Sequence, residues 1–418
     1  MSRVIPFNRG AICHIDANFY YGQIEALFRP YLRGKAFVVG GDQESRKGIV
    51  LTKSPLAKTY GVKTGSSITE AMRVCPNLIV VPANYPLYLY FSERMREIIL
   101  DFTDTIKPFG SDELWAQLHG DRAKVRKTVE DIRQAIWRQL CLTVSIGVGD
   151  NLPYSKIGSD LAPNNSVCEL WHEDRENKVY PLPVSDLLYV GPATTKRLNR
   201  CGIMTIGDLA KCSPELVCQM IRNKNGATLW TMACGLDRTT VAQVESVSDI
   251  KSIGNSNTMP RDLLTDDDVQ AAFYMLAESV AQKMRENGFE ATTLKISVRD
   301  NDLISFERQM KLQRPTNLAK EMVPEAMKLF KKHYRWSSPI RSLGIRGADL
   351  VVAGSIYQLS LDDDEAVREK YKRLECLVDR IRDQYGQDSI QRAILLDKTF
   401  KSVNANNSRG DAQTFYAY

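Results

Sequence analysis

The sequence predicts a multidomain protein of mixed α/β and α+β class, and three observations carry that expectation. At 418 residues the chain is far too long for one ordinary core and implies roughly two to four domains. Between residues 11 and 149, short apolar runs alternate with stretches of helical spacing, the mark of a mixed α/β layer. Between 247 and 350, the order β-α-β-β-α-β with one polar, basic sheet face is that of a small ferredoxin-like module.

The first layer is built element by element. AICHID (11–16) reads as a strand that ends on an acid, and AFVVGG (36–41) and IVLT (49–52) as two more. SSITEAMRVC (66–75) reads as a helix and LIVVP (78–82) as a strand stopped by proline. Leu87, Phe91, Met95, Ile98 and Phe102 recur at helical spacing, as do Val125, Val129, Ile132, Ile136 and Leu140. FGSDELWAQL (109–118) lies between those helices as a strand with Gly110 at a bend, and LTVSIGVG (142–149) follows as another.

From residue 184 the texture changes. VSDLLYVGPATTKRLNRCGIMTIGDLA carries a Gly turn (190–192), a short helix, CGI and a second helix start, the cadence of a helix-hairpin-helix unit. A helix start behind such a turn presents backbone N–H groups to a phosphate; a small packed helical subdomain has the same pattern. In the next module Val269, Phe273, Leu276, Val280 and Met284 share a helix face, and Leu294, Ile296 and Val298 alternate with Lys295, Ser297 and Arg299. A second helix carries Leu318, Met322, Ala326, Leu329 and Phe330. The tail holds QLSLDDDE (358–365), a helix over 365–385, and a polar end, NANNSRGDAQ, expected to be disordered.

Composition is that of a soluble globular protein, with 43% hydrophobic and 25% charged residues. No apolar run reaches membrane-spanning length, and MSRVIPFNRG lacks the apolar core of a signal peptide, so a cytoplasmic location without membrane contact is expected. Nine scattered cysteines, with no CxxC pair and few histidines, argue against a zinc site or a disulfide framework. The net charge of +6 is mild, but 12 Lys and Arg stand against 5 Asp and Glu from Lys295 to Arg346. A clustered excess of this kind is the footprint of a phosphate-backbone contact, and equally of a solvated lysine face.

Two stretches carry chemistry. In FGSDELW, Asp112 and Glu113 are adjacent, and in a regular strand they would point to opposite faces. A solvated turn is one explanation; a bend that brings both to one site is the other. In HIDANFYYGQIE (14–25), Asp16 ends an apolar strand, where a carboxylate is costly unless it meets a cation. Asp16, Asp112 and Glu113 together would give three acids without His or Cys, a match for the oxygen-only coordination of Mg²⁺ or Mn²⁺. In phosphoryl chemistry two such ions, roughly 3.5–4 Å apart, clamp the attacking and leaving oxygens. Lys58, Lys156 and the Thr52 hydroxyl are candidates to receive a triphosphate, although a lone lysine is usually a surface residue.

Six motifs resemble those of the Y-family (translesion) DNA polymerases, nearer the bacterial UmuC-like than the archaeal DinB-like branch. DANFYY resembles the family's metal-binding opening and SDELW its S-x-D-E element; LAKTYGVKTG resembles its fingers motif and SKIGSDLA its palm lysine motif. DLLYVGPATTKRL resembles the thumb hairpin, and KSIGNSNTM the entry to the little finger. The resemblance covers roughly residues 11–352 and implies a right-hand polymerase: palm 1–30 and 84–174, fingers 31–83, helix-hairpin-helix thumb 175–245, little finger 246–352 and tail 353–418. It implies template-directed, low-fidelity nucleotidyl transfer from a dNTP to a primer 3′-OH in lesion bypass. A non-catalytic scaffold of a mutagenesis complex and a helix-hairpin-helix repair nuclease are the rival readings.

Carried onto this sequence, the resemblance makes Asp16, Asp112, Glu113 and the Ala17 carbonyl ligands of two Mg²⁺ ions, with Mn²⁺ as the substitute. Tyr21 falls at the steric-gate position, where a ring under the sugar excludes a 2′-OH; a core aromatic after Phe19 and Tyr20 is the competing reading. Thr52, Lys58 and Lys156 would hold the triphosphate, and Gly191, Lys251, Lys295, Arg299 and Arg346 would contact DNA. Gln358, Leu359 and Leu361 of QLSLDD resemble a sliding-clamp motif, against which stands a polar linker with incidental leucines. A UmuD-like accessory protein, a RecA-type filament and a nucleoid-associated location are further implied. The sequence departs from the family at Asn18 (often an acid), Gly110-Ser111, Pro55, Lys58 (often Arg) and Pro163 (often Lys).

Overall fold

The computed structural model of the protein describes residues 10–41, 48–221, 225–244, 250–356 and 365–396. The chain divides into two compact units, residues 1–40 with 50–248, and residues 41–49 with 249–418.

In the first unit β1 (Ala11–Ala17) leads to α1 (Tyr20–Phe28), β2 (Phe37–Gly40), β3 (Val50–Lys53), α2 (Pro55–Thr59), α3 (Ile68–Val74) and β4 (Ile79–Pro82). Next come α4 (Tyr85–Leu100), β5 (Ile106–Pro108), β6 (Glu113–Leu118), α5 (Arg122–Leu140), β7 (Val144–Gly149), α6 (Leu152–Leu161) and β8 (Val167–Leu170). The main sheet has the order β5-β6-β1-β7-β8, so β1 is central. Its two faces follow from strand periodicity. Ala11, Cys13, Ile15 and Ala17 enter the core with Tyr88, Met95, Val129 and Ile132 of α4 and α5. The intervening residues Ile12, His14 and Asp16 turn to the other face, where α6 packs on β1 and β7.

That helix lies unusually close to the sheet. A Cβ at Gly147 of β7 would sit 1.9 Å from the Ser155 carbonyl and 2.2 Å from the Ser159 nitrogen. The missing side chain is therefore what lets α6 approach and bring its own residues over β1.

The smaller sheet, β3-β2-β4, packs α2 and α3 on a core of Val38, Val50, Ala57, Ile68 and Ala71. Ser54 caps α2: its hydroxyl accepts from the Ala57 amide and Pro55 takes the first helical position. This gives Pro55 a structural reason independent of any ligand. Helices α7 (Pro192–Arg200), α8 (Ile206–Ala210), α9 (Pro214–Ile221), α10 (Gly226–Ala233) and α11 (Val241–Val244) complete the unit, with Leu198, Ile206, Leu209, Val217 and Leu229 buried together.

The second unit contains β9 (Ser252–Leu263), α12 (Asp266–Glu286), β10 (Phe289–Asp300), β11 (Ser305–Thr316), α13 (Ala319–His333), β12 (Ile340–Val352) and α14 (Glu365–Tyr385). The element order is the expected β-α-β-β-α-β, and the sheet runs β11-β10-β12-β9 with every neighbouring pair antiparallel. Each helix thus links two parallel strands that have an antiparallel strand between them. Leu294, Ile296 and Val298 are buried in one core with Phe273, Leu276 and Met322.

Helix α14 has the expected span but an inverted distribution of charge. Arg368, Glu375 and Arg382 are buried, whereas Leu374 and Leu377 are exposed. The buried charges are paired: Arg285 of α12 reaches Asp379 at 2.7 Å and Glu375 at 2.8 Å, and Arg382 reaches Glu278 at 2.9 Å. Charge pairing across the helix, not an apolar face, holds it there.

Candidate active site

The adjacent acids of FGSDELW are separated by the end of a strand. Asp112 belongs to the turn between β5 and β6, and Glu113 is the first residue of β6. The turn closes through the Phe109 amide, which donates to the Glu113 carbonyl at 2.8 Å, while Gly110 adopts φ +87°, a left-handed conformation that strains any residue with a Cβ. Register then sets Glu113 directly opposite Asp16 of β1. The Ala17 amide donates to the Asp112 carbonyl at 2.9 Å, tying the end of β1 to the turn. Asp16, Ala17, Asp112 and Glu113 are thereby brought together as the sequence suggested.

Helix α6 supplies the cation. Lys156 Nζ lies 2.7 Å from Glu113 Oε2, 3.2 Å from Asp16 Oδ2 and 3.1 Å from Asp160 Oδ1. Sequence reasoning placed Lys156 near a triphosphate and did not anticipate that it would rest against the acids, nor that Asp160, one helical turn on, would share it. The three acids also have a neighbour that the motifs did not include. His14, fully buried on β1, sits with Nε2 3.4 Å from Glu113 Oε2. The signal was present in the sequence, because His14 is two residues before Asp16 and so must share its face.

Burial and mutual repulsion set the protonation of the cluster. Burial first, then the charges of Asp16 and Glu113, push the Asp112 carboxyl up to about 6. Burial also raises Asp16, against the pull of Lys156. Glu113 moves the other way, down to about 2, because the His14 ring and the Lys156 ammonium outweigh its burial. Lys156 is held above the ordinary lysine range: burial opposes its charge, and Asp16 and Glu113 more than offset that. Ligand atoms of His14, Asp16 and Glu113 lie within 4.8 Å of one another. Clustered carboxylates that already gather an ammonium have the hard, anionic donor chemistry that a divalent cation requires.

Around this cluster the remaining candidates fall into place unevenly. Tyr21, near the start of α1, is half-buried and stacks on Tyr88 at 4.3 Å and 18°, with its hydroxyl 3.2 Å from Ser111 Oγ beside Asp112. Tyr20 and Tyr88 are the core aromatics of this region, at 3% and 1% exposure. Thr52 lies on β3 and Lys58 on α2, exposed, at the smaller sheet. Asn18 is a structural brace. Its Nδ2 donates to Ser145 Oγ at 2.8 Å and its Oδ1 accepts the Asn165 amide at 2.9 Å. It joins β7 to the loop around Pro163, whose carbonyl accepts from Ser145 at 3.1 Å.

Gly191 N-caps α7 with an ordinary φ of −80°, and a Cβ there would meet nothing within 4 Å. Thr195, Lys196, Asn199 and Arg200 line an open groove beside it. In the second unit Lys295 and Arg346 are direct partners across β10 and β12, Arg299 lies four residues from Lys295 on the same face, and Lys251 is exposed just before β9. Gln358, Leu359 and Leu361, like the polar end 404–413, lie outside the described residues.

The fold is that of the Y-family DNA polymerases. A solved Y-family DNA polymerase chimera superposes with a TM-score of 0.71, covering 82% of this chain and 99% of its own at 20% identity. Residues 15–160 match the impB/mucB/samB family, and residues 250–361 match that family's C-terminal domain. DNA polymerase IV of Acetivibrio thermocellus is 41% identical over 92% of this chain and 97% of its own. DNA polymerase IV of Bacillus velezensis is 33% identical, covering 93% of each chain, and DNA polymerase IV 1 of Bacillus subtilis is 31% identical over 94% and 95%. The chain belongs to the impB/mucB/samB family. Among the described residues, no helix is long and apolar enough to cross a membrane.

Proposed function

We propose that this protein is a template-directed DNA polymerase of the lesion-bypass type, acting on primer–template DNA and deoxynucleoside triphosphates. The observation that carries this reading is the convergence of Asp16, Asp112 and Glu113 at one end of the main sheet with Lys156 poised over them. In this reading residues 1–30 and 84–174 form the palm, 31–83 the fingers, 175–245 the thumb, 246–352 the little finger and 353–418 a tail.

Asp16, Asp112 and Glu113, with the Ala17 carbonyl, would hold two divalent ions, Mg²⁺ or in its place Mn²⁺. Such ions, when bound, neutralise the triphosphate and the attacking and leaving oxygens of an in-line displacement. The residues of the chain do the rest. Lys156 turns from the acids to the triphosphate, joined by Thr52 and Lys58. Tyr21, braced by Tyr88, lies under the sugar and excludes a 2′-OH. The primer 3′-oxygen attacks the α-phosphorus, and pyrophosphate leaves. The fingers, about 50 residues on a three-stranded sheet, are too small for a large closing lid, and an open site of low fidelity is the expected consequence; replicative-level accuracy in a misincorporation assay would overturn it.

Basic side chains on one face of the second unit, Lys295, Arg299 and Arg346, with Lys251 before it, serve the duplex backbone. The Gly191 turn, open where a Cβ would stand, leaves the start of α7 free for a phosphate. Gln358, Leu359 and Leu361 are assigned to a sliding clamp; unchanged clamp-stimulated synthesis by a Gln358→Ala, Leu361→Ala protein would remove that assignment. A UmuD-like accessory protein, a RecA-type filament and a cytoplasmic, nucleoid-associated location complete the proposal.

The deciding experiment is primer extension with Mg²⁺ and four deoxynucleotides on undamaged and abasic templates, wild type beside Asp112→Ala. Extension past the lesion by the wild type alone is expected. Primer shortening would favour a nuclease. Tight DNA binding with no extension by either protein, even with clamp and accessory factors added, would favour a scaffold.

A further inference from the structure

His14 is a fully buried histidine that faces the acidic cluster from the same side of the sheet as Asp16 and Glu113. Its Nδ1 lies 2.8 Å from the Ser159 hydroxyl on α6, and its ring meets Trp115 edge-on at 4.9 Å. Its Nε2 lies 3.4 Å from Glu113 Oε2 and has no hydrogen-bond partner among the described residues. We propose that His14 is a positioning residue: its Nε2–H directs the Glu113 carboxylate, and Ser159 locks the ring that does so. The proposal rests on reading Glu113 as a metal-binding acid.

The tautomer follows from counting protons. Ser159 has one hydroxyl proton and two acceptors in reach, His14 Nδ1 and the Lys156 carbonyl, each at 2.8 Å. Inside a helix that carbonyl also receives a backbone N–H from one turn on. A Ser159 proton directed at Nδ1 therefore leaves no group unpaired on α6, and it places the ring proton on Nε2. The opposite tautomer would aim a bare nitrogen lone pair, fully buried, at a carboxylate oxygen.

The need for such a residue comes from Lys156. Its ammonium holds the same Glu113 Oε2 from 2.7 Å while the site is at rest. Once Lys156 turns to a triphosphate, His14 is the described side chain that still faces that oxygen. Carboxylates that bind metals depend on outer partners of this kind for their orientation. An apolar ring would fill the space against Trp115 as well as imidazole does, but it has no N–H for Glu113.

The test is Mn²⁺ binding without DNA or nucleotide, read from the EPR signal of free Mn²⁺, with a thermal melt of each protein in chelator. His14→Phe is expected to weaken Mn²⁺ binding about ten-fold. His14→Gln, whose amide N–H can reach Glu113, recovers most of that loss, and Ser159→Ala shows a smaller loss of the same sign. If His14→Phe fails to fold, the Gln and Ser159→Ala proteins still decide. Wild-type affinity in His14→Phe and Ser159→Ala, with binding lost in Glu113→Gln, overturns the positioning role and leaves the metal reading intact. A Gln protein as weak as the Phe protein overturns it too. So does hyperfine coupling between bound Mn²⁺ and ¹⁵N-labelled histidine, because His14 would then be a ligand. Unaltered binding by Glu113→Gln would sink the metal reading itself and this proposal with it.

Discussion

Replacing Asp112 by Asn should stabilise the metal-free protein at neutral pH while abolishing synthesis. In the folded chain burial and the nearby charges of Asp16 and Glu113 raise the Asp112 carboxyl from 3.8 to about 6. A difference of about two pK units corresponds to about 3 kcal/mol. The sign follows from proton binding. Well below pH 3.8 both states carry the proton, and Asp and Asn are nearly equivalent. Between about pH 4 and 6 the unfolded chain ionises while the native carboxyl stays protonated, so the wild type loses stability as pH rises. Above about 6 the whole penalty is present and constant. Asn keeps the shape and an acceptor oxygen, so the Asn protein should be more stable by about 1–3 kcal/mol at pH 8, less at pH 5, and equal to wild type well below pH 3.8. The assay is urea unfolding in chelator at several pH values, followed by tryptophan fluorescence; four of the five tryptophans lie in the first unit. No gain at pH 8, or a gain of the same size at every pH, would refute the reasoning.

Other perturbations test separate parts of the structure. Lys156→Gln removes the ammonium from Asp16 and Glu113, so Mn²⁺ binding without nucleotide should tighten, while the dNTP KM rises about ten-fold or more through loss of a charged hydrogen-bond donor; titration and steady-state kinetics separate the two effects. Tyr21→Ala should lower discrimination against ribonucleotides by about ten-fold or more, and unchanged selectivity would leave Tyr21 as mere support for Tyr88. Arg285→Ala strands Asp379 at the α12–α14 contact and leaves Glu375 only Arg392 and the Ala319 and Lys320 amides. Removing one partner of a buried network costs about 3 kcal/mol or more, so limited proteolysis should cut near α14 much faster, and an unchanged digestion rate would show that the helix docks by other contacts.

Much of the protein was legible in the sequence because its information is local. Period-two and helical spacing located β1, β6, β7, α4, α5 and α12, and the tail helix expected over 365–385 spans Glu365–Tyr385. The three acids and Lys156 were legible through motif order, and the bend at Gly110 through the conflict between adjacent acids and strand alternation. What the sequence could not contain was pairing between distant segments. The order β11-β10-β12-β9 depends on which strand enters between two others, a choice that local periodicity does not record. Charges on a helix such as α14 ordinarily face water, yet Arg368, Glu375 and Arg382 are buried because partners on α12 and α13 meet them. Asn18 read as a missing acid and proved to be a bridge between β7 and the loop around Pro163. His14 read as nothing at all. Its meaning depends on a glycine at 147 that lets α6 descend far enough for Ser159 and Lys156 to reach β1. Sequence alone determined which side chains this protein has available for chemistry and on which elements they sit. Tertiary structure decided which of them share one low-dielectric space, and there a few ångströms set both charge state and partner.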